Sequence, residues 1–220
     1  MIDIDAYVKS LTDECVGAFG KRLAYIGLQG SYMRGEAHDG SDIDIMVVID
    51  GMTVADLDEY RAVLERVGHF ELSCGFICGV AELARWNPLE ICNLLHTTKD
   101  AYGELKPLVP EYTRADAINF LKLSVGNVYH ILCHGYLHAK NQKDAARLAE
   151  LYKGVFFIIQ NLHYLESGEF IVDKMTLAAG ADKADAEILS MPQSGFDFDS
   201  AFGKLYDWCC GALARLSEIK

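Results

Sequence analysis

Asp42 and Asp44 stand two residues apart at the head of an apolar run, Ile45-Met-Val-Val-Ile49. On a β-strand, residues i and i+2 point to one face, so the two carboxylates project together. Like charges held side by side repel unless a cation sits between them. An oxygen-only pair suits Mg²⁺, which takes one or two protein carboxylates plus substrate phosphates. A short way upstream, Gly30-Ser31 closes another apolar run, residues 22–29. A glycine there lets an anion approach the backbone closely, and free N–H groups at a helix start, with the Ser31 hydroxyl, can donate to phosphate oxygens. A phosphate-holding turn beside a metal-holding strand can present a triphosphate for in-line attack at its α-phosphorus, with metal ions clamping the attacking and leaving oxygens. Either fragment alone is a generic turn or strand end. Their combination and order make the case.

The elements around these residues follow from periodicity. Ile4, Val8, Leu11, Val16 and Phe19 recur at helical spacing, with Asp3 or Asp5 as N-cap. Residues 22–29 and 42–50 read as strands, the second ending on the turn pair Asp50-Gly51, and residues 31–40 as a tight turn or short helix. Residues 53–67 predict an amphipathic helix with Thr53 and Asp56 as a capping box. Residues 69–79 predict a third strand, with Phe70, Leu72, Cys74, Phe76 and Cys78 on its apolar side and Glu71 and Ser73 opposite. A short helix near 80–86 and a mixed segment at 91–102 containing one more strand come next. Pro107 and Pro110 then interrupt regular structure, which places a domain boundary there: 1–110 and 111–220. The second part predicts helices over 116–140 and 141–167, a short helix after Gly168, and helices over 182–190 and 198–219. The fold class is α+β: a mixed sheet with flanking helices, followed by an all-helical bundle.

Gly30-Ser31-x-x-Arg34-Gly35 followed by Ser41-Asp42-Ile-Asp44 resembles the nucleotidyltransferase superfamily that includes DNA polymerase beta, kanamycin nucleotidyltransferase and the small bacterial nucleotidyltransferases. The specific match covers a short motif. The strand–helix–strand after it and the helical C-terminal part resemble the antibiotic nucleotidyltransferases more loosely. The resemblance implies that Gly30 and Ser31 hold a nucleoside triphosphate, ATP above all, with Arg34 and Ser41 in support. It implies that Asp42 and Asp44 bind Mg²⁺, with two ions expected. Such enzymes transfer a nucleoside monophosphate to a hydroxyl, here of a small-molecule acceptor chosen by the helical part. The family usually adds a third carboxylate on a later strand as metal ligand or general base. Glu71 is the candidate here, with Asp100 or no third acid as the alternatives. Rival readings are an antitoxin-like or regulatory module acting on a protein or RNA partner, and a catalytically idle nucleotide-binding domain.

Other groups carry weaker signals. His130, His134 and His138 fall at i, i+4 and i+8 of one helix, with His163 on the next. Their aromatic and apolar neighbours suggest packing at a helix–helix seam or a cleft wall rather than a metal site. Glu150 and Lys153 read as a surface ion pair. Seven cysteines cannot all pair within one chain, and most sit in apolar runs, so structural thiols are expected.

The net charge of −12 argues against an extended nucleic-acid surface. Residues through Thr113 hold 9 basic and 19 acidic side chains, so −10 of that charge lies in the first half. Such a surface repels a polyphosphate unless divalent cations intervene, and it suits a cationic acceptor. The acidic N-terminus lacks a basic-then-apolar leader and no apolar run is long enough to span a bilayer, so a cytoplasmic protein without membrane contact is expected. A monomer and a dimer both remain open.

Overall fold

The structure, a computed structural model, describes residues 2–140, 143–192 and 194–219. The chain divides into two compact units, Met1–Tyr112 and Thr113–Lys220.

In the first unit, α1 (Ile4–Phe19) starts where Asp3 caps the Ala6 amide. Strand β1 (Leu23–Leu28) leads into α2 (Gly30–Arg34), and β2 (Ile43–Ile49) follows. Helix α3 (Val54–Val67) opens with the Thr53/Asp56 capping box and crosses to β3 (Ser73–Gly79). Then come α4 (Val80–Leu83), α5 (Pro88–His96) and β4 (Lys99–Tyr102). The sheet order is β3-β2-β1-β4: β2 and β3 run parallel, and β1 is antiparallel to both β2 and β4.

Strand β2 is buried on both faces, which is why its sequence is almost continuously apolar. Ile43, Ile45, Val47 and Ile49 pack into one core with Leu11, Cys15 and Phe19 of α1 and Val63 of α3. Met46 and Val48 pack into the other with Tyr25, Cys78, Leu83 and Leu105. Arg22, just before β1, donates twice to the Asp56 carboxylate, which also accepts from the Thr53 amide and hydroxyl. These bonds, the Arg22 guanidinium first, hold the Asp56 carboxyl well below the usual carboxylate range. The head of α3 is thereby tied to the start of β1.

The third strand is shorter than the alternating pattern predicts. Gly68 and His69 both adopt positive φ (92° and 55°), and residues Phe70–Leu72 form a 3₁₀ turn closed by the Leu72 amide on the His69 carbonyl at 2.9 Å. The ladder starts only at Ser73, paired with Ile43. Asn87 and Pro88 are the N-cap and first residue of α5, a helix absent from the sequence reading of this stretch.

The second unit contains α6 (Arg114–His138), α7 (Ala145–Ser167), α8 (Lys174–Gly180), α9 (Lys183–Leu189) and α10 (Phe198–Glu218). Asn141 and Gln142, at the expected start of the second long helix, lie outside the described residues. Helix α6 packs against α7 and α10, and the Tyr152 hydroxyl donates to the Ala201 carbonyl at 2.8 Å. Buried Asp185 accepts from Trp208 Nε1 at 2.6 Å and Arg215 Nη1 at 2.9 Å, and Arg215 Nη2 reaches Glu166 at 2.8 Å. That network joins α7, α9 and α10. No described helix is long and apolar enough to cross a membrane.

Candidate active site

Residue parity on β2 sets the face of the acidic pair. Asp44 shares that face with Met46 and Val48, and Asp42, one step before the strand, continues the alternation. Asp42 is exposed and Asp44 half-buried. Burial pushes the Asp44 carboxyl above the usual carboxylate range and Asp42 pushes it the same way, while a Cys74 hydrogen bond and the Arg34 charge pull it partly back. Burial is thus the main cost of ionising Asp44, and the neighbouring carboxylate adds to it.

Gly30 brings the phosphate turn to this carboxylate. Its φ is +66°, a left-handed conformation that side-chain-bearing residues resist, and a Cβ at this position would collide with Asp44 Oδ2. The Gln29 amide donates to the Asp44 carbonyl at 2.8 Å, fixing the end of β1 against the head of β2. Ser31 follows in the first turn of α2, half-buried. The turn and the acidic strand thus form one site within a single unit.

The supporting residues divide. Arg34 Nε donates to Glu36 Oε2 at 2.8 Å, and its charge also acts on Asp44. Ser41 is buried, and its hydroxyl accepts from the His38 amide at 2.9 Å while its own amide donates back to the His38 carbonyl at 3.0 Å. Ser41 therefore shapes the loop that delivers Asp42.

The third acid differs most from expectation. Glu71 is not on β3: it is exposed in the 3₁₀ turn before the strand, because the left-handed Gly68-His69 pair delays the ladder. Asp100 lies on β4, two strands from β2, where it accepts from the Tyr25 hydroxyl at 2.6 Å. The residue in register with Asp44 is Cys74, whose thiol hydrogen-bonds to the Asp44 side chain. Cys74 is exposed, which corrects its expected place among buried structural thiols; burial, then the Asp44 charge, push its thiol pKa up. Its neighbour Gly75 (φ +134°) sits so close to the Ile45 backbone that any Cβ would drive β3 away from β2. The sequence reading missed Cys74 because it grouped the residue with Phe76 and Cys78. That shared parity was also the available signal, since it puts Cys74 on the Asp44 face at the uncovered end of the strand.

The donor set fits a divalent cation carried with phosphates. Two carboxylates share one face, one of them is pushed up by burial and then by its neighbour's charge, and a glycine brings the turn against it. Among the described residues no group of three or more metal-binding side chains gathers, so the protein itself supplies few ligands.

Residues 12–75, which span Gly30, Ser31, Asp42 and Asp44, match the family model of the nucleotidyltransferase domain. Among solved structures, the chain is similar to spectinomycin adenyltransferase AAD(9) from Enterococcus faecialis, crystallised with ATP and spectinomycin. The TM-score is 0.59 at 13% identity, covering 97% of this chain and 99% of that one. A toxin–antitoxin structure with AMP-PNP overlaps less, with a TM-score of 0.34, 16% identity, and coverage of 57% of this chain and 93% of that one. No curated protein matches the chain.

Proposed function

We propose that this protein transfers AMP from ATP to a hydroxyl of a small, cationic acceptor and releases pyrophosphate. The observation that carries the reading is the packing of the Gly30 turn directly on the Asp44 carboxylate. It brings together a turn suited to phosphate and an acidic face suited to a cation. Similarity of fold to an adenyltransferase crystallised with ATP supports the choice of nucleotide.

Gly30 and Ser31 hold the triphosphate, with the Ser31 hydroxyl donating to a phosphate oxygen. Asp42 and Asp44 would hold Mg²⁺, which when bound offsets the charge of carboxylates and triphosphate and lowers the pKa of the attacking hydroxyl. Arg34, steadied by Glu36, adds positive charge beside Asp44. Ser41 keeps Asp42 in place through the loop. Cys74 orients the Asp44 carboxylate from the neighbouring strand. Glu71, exposed in the turn leading into β3, is the carboxylate we assign to take the acceptor's proton. Selection of the acceptor is assigned to the helical unit, and the acidic charge of the first unit favours a cationic one.

The test is pyrophosphate release from ATP with Mg²⁺ and a panel of amino-sugar and other hydroxyl acceptors, with protein and tRNA as further arms. We expect Mg²⁺-dependent release with a small cationic acceptor and none from the Asp42→Asn/Asp44→Asn protein. Release that survives the double substitution overturns the site. ATP binding without release under any acceptor overturns the reaction.

A further inference from the structure

Three histidines in the second unit stand apart from the nucleotide chemistry. His130, His134 and His138 lie on one face of α6, and all three are exposed, so the seam packing expected from their neighbours does not occur. The seam side of α6 carries other residues: Tyr129 meets Tyr206 with ring centroids 5.4 Å apart, and Tyr136 meets Phe202 at 4.8 Å. The imidazoles stack on one another instead. His130 and His134 have centroids 5.5 Å apart, and His134 and His138 are 4.8 Å apart with planes tilted 53°.

From Leu123 to His138 the helix carries no Asp, Glu, Lys or Arg. Imidazoles are good ligands for borderline transition-metal ions. Residues four apart on a helix are neighbours on its surface, so one ion can bridge two such rings. No group of three metal-binding side chains gathers among the described residues, so the protein offers two nitrogens and water completes the coordination.

From this geometry we propose that His134 and His138 form a surface site for a divalent transition-metal ion of the Zn²⁺, Ni²⁺ or Cu²⁺ class, with His130 as the outer alternative ligand. The closer pair, His134–His138, is the chelate. His134 belongs to both pairs, so the ladder takes one ion. Binding requires neutral rings, so it weakens as pH falls. The bound ion staples the last turn of α6 to the turn before it.

The test uses the full chain with Asp42→Asn/Asp44→Asn, which silences the carboxylate site. The readout is calorimetric titration with Ni²⁺ at about pH 8, since metal binding competes with protons. Because a two-armed site loses its chelate advantage when one arm is removed, His134→Asn is expected to weaken binding about 100-fold. His138→Asn weakens it less, through transfer to His130, and His130→Asn leaves it unchanged. The rings are exposed, so circular dichroism is expected to find every variant folded. In parallel, Zn²⁺ is expected to shift the ring-nitrogen resonances of His134 and His138 in NMR spectra. Unchanged affinity in His134→Asn, or shifts confined to other residues, overturns the site. So does binding that is lost in Cys133→Ser or Cys210→Ser and kept in His134→Asn.

Discussion

Replacing Gly30 by alanine tests the link between the turn and the acidic strand. The added methyl does two things. It forces a side-chain-bearing residue into a left-handed conformation at φ +66°, at a cost of about 1–2 kcal/mol. It also enters the space of Asp44 Oδ2, so the carboxylate must move. Gly35, five residues on, separates the two effects. Its φ is +72°, so the strain is about the same, yet a Cβ there meets nothing within 4 Å. Both substitutions are therefore expected to lower the melting temperature, by about 2–4 °C for each kcal/mol lost, and Gly30→Ala the more because Asp44 must also move. Only Gly30→Ala displaces the carboxylate proposed to hold the metal. A displacement of about 1 Å in a reacting constellation costs on the order of 100-fold in rate, or about 2.7 kcal/mol at the transition state. The assay pairs thermal melts with calorimetric titration of ATP in the presence of Mg²⁺ and with pyrophosphate release once an acceptor is found. Equal losses of function in Gly30→Ala and Gly35→Ala would refute the reasoning, because strain in α2 would then explain everything. Full function in Gly30→Ala would refute it outright.

Three further outcomes follow from the site and the bundle. Asp44→Asn should abolish metal-dependent turnover yet raise the melting temperature of the metal-free protein. The folded pKa of Asp44 lies above its unfolded value, so its ionisation destabilises the fold: stability is greater below the unfolded pKa and falls as pH rises through the folded one. The stability gain of the variant should therefore grow over that interval, and an unchanged pH–stability curve would contradict it. Glu71→Gln should lower kcat by about 10²–10⁴ if Glu71 takes the acceptor's proton, whereas Cys74→Ser, which keeps a donor beside Asp44, should change mainly the metal requirement. The opposite pattern in kcat and metal titrations would move the base away from Glu71. Arg215→Met leaves the buried Asp185 carboxylate with only Trp208, and loss of one partner from such a pair costs about 3–5 kcal/mol, read by urea unfolding.

Helices with chemical punctuation were legible in the sequence. Asp3 and Thr53 both cap helices in the structure, because a side-chain acceptor before an apolar period satisfies otherwise unpaired N–H groups. The acidic pair was legible from period-two alternation ahead of a strand buried on both faces. The start of β3 was not: His69 is a non-glycine residue at positive φ, and residue type alone does not announce that conformation. One turn of 3₁₀ helix then took Glu71 off the strand. The pairing of Asp44 with Cys74 was equally hidden, since the register of a parallel pair is set by how the crossover helix returns. The exposure of the α6 histidines escaped for a different reason. Aromatic neighbours in sequence point in other directions around a helix, and the tyrosines took the seam.

Strand β2 is a party wall. Odd-numbered residues belong to the core under α1 and α3, even-numbered ones to the core on the far side, and the carboxylates hang from its first steps. A volume change in either core reaches Asp44 through the same backbone, so activity and folding cannot be tuned separately there. A directed-evolution library would therefore do best to leave residues Ile43–Ile49 untouched.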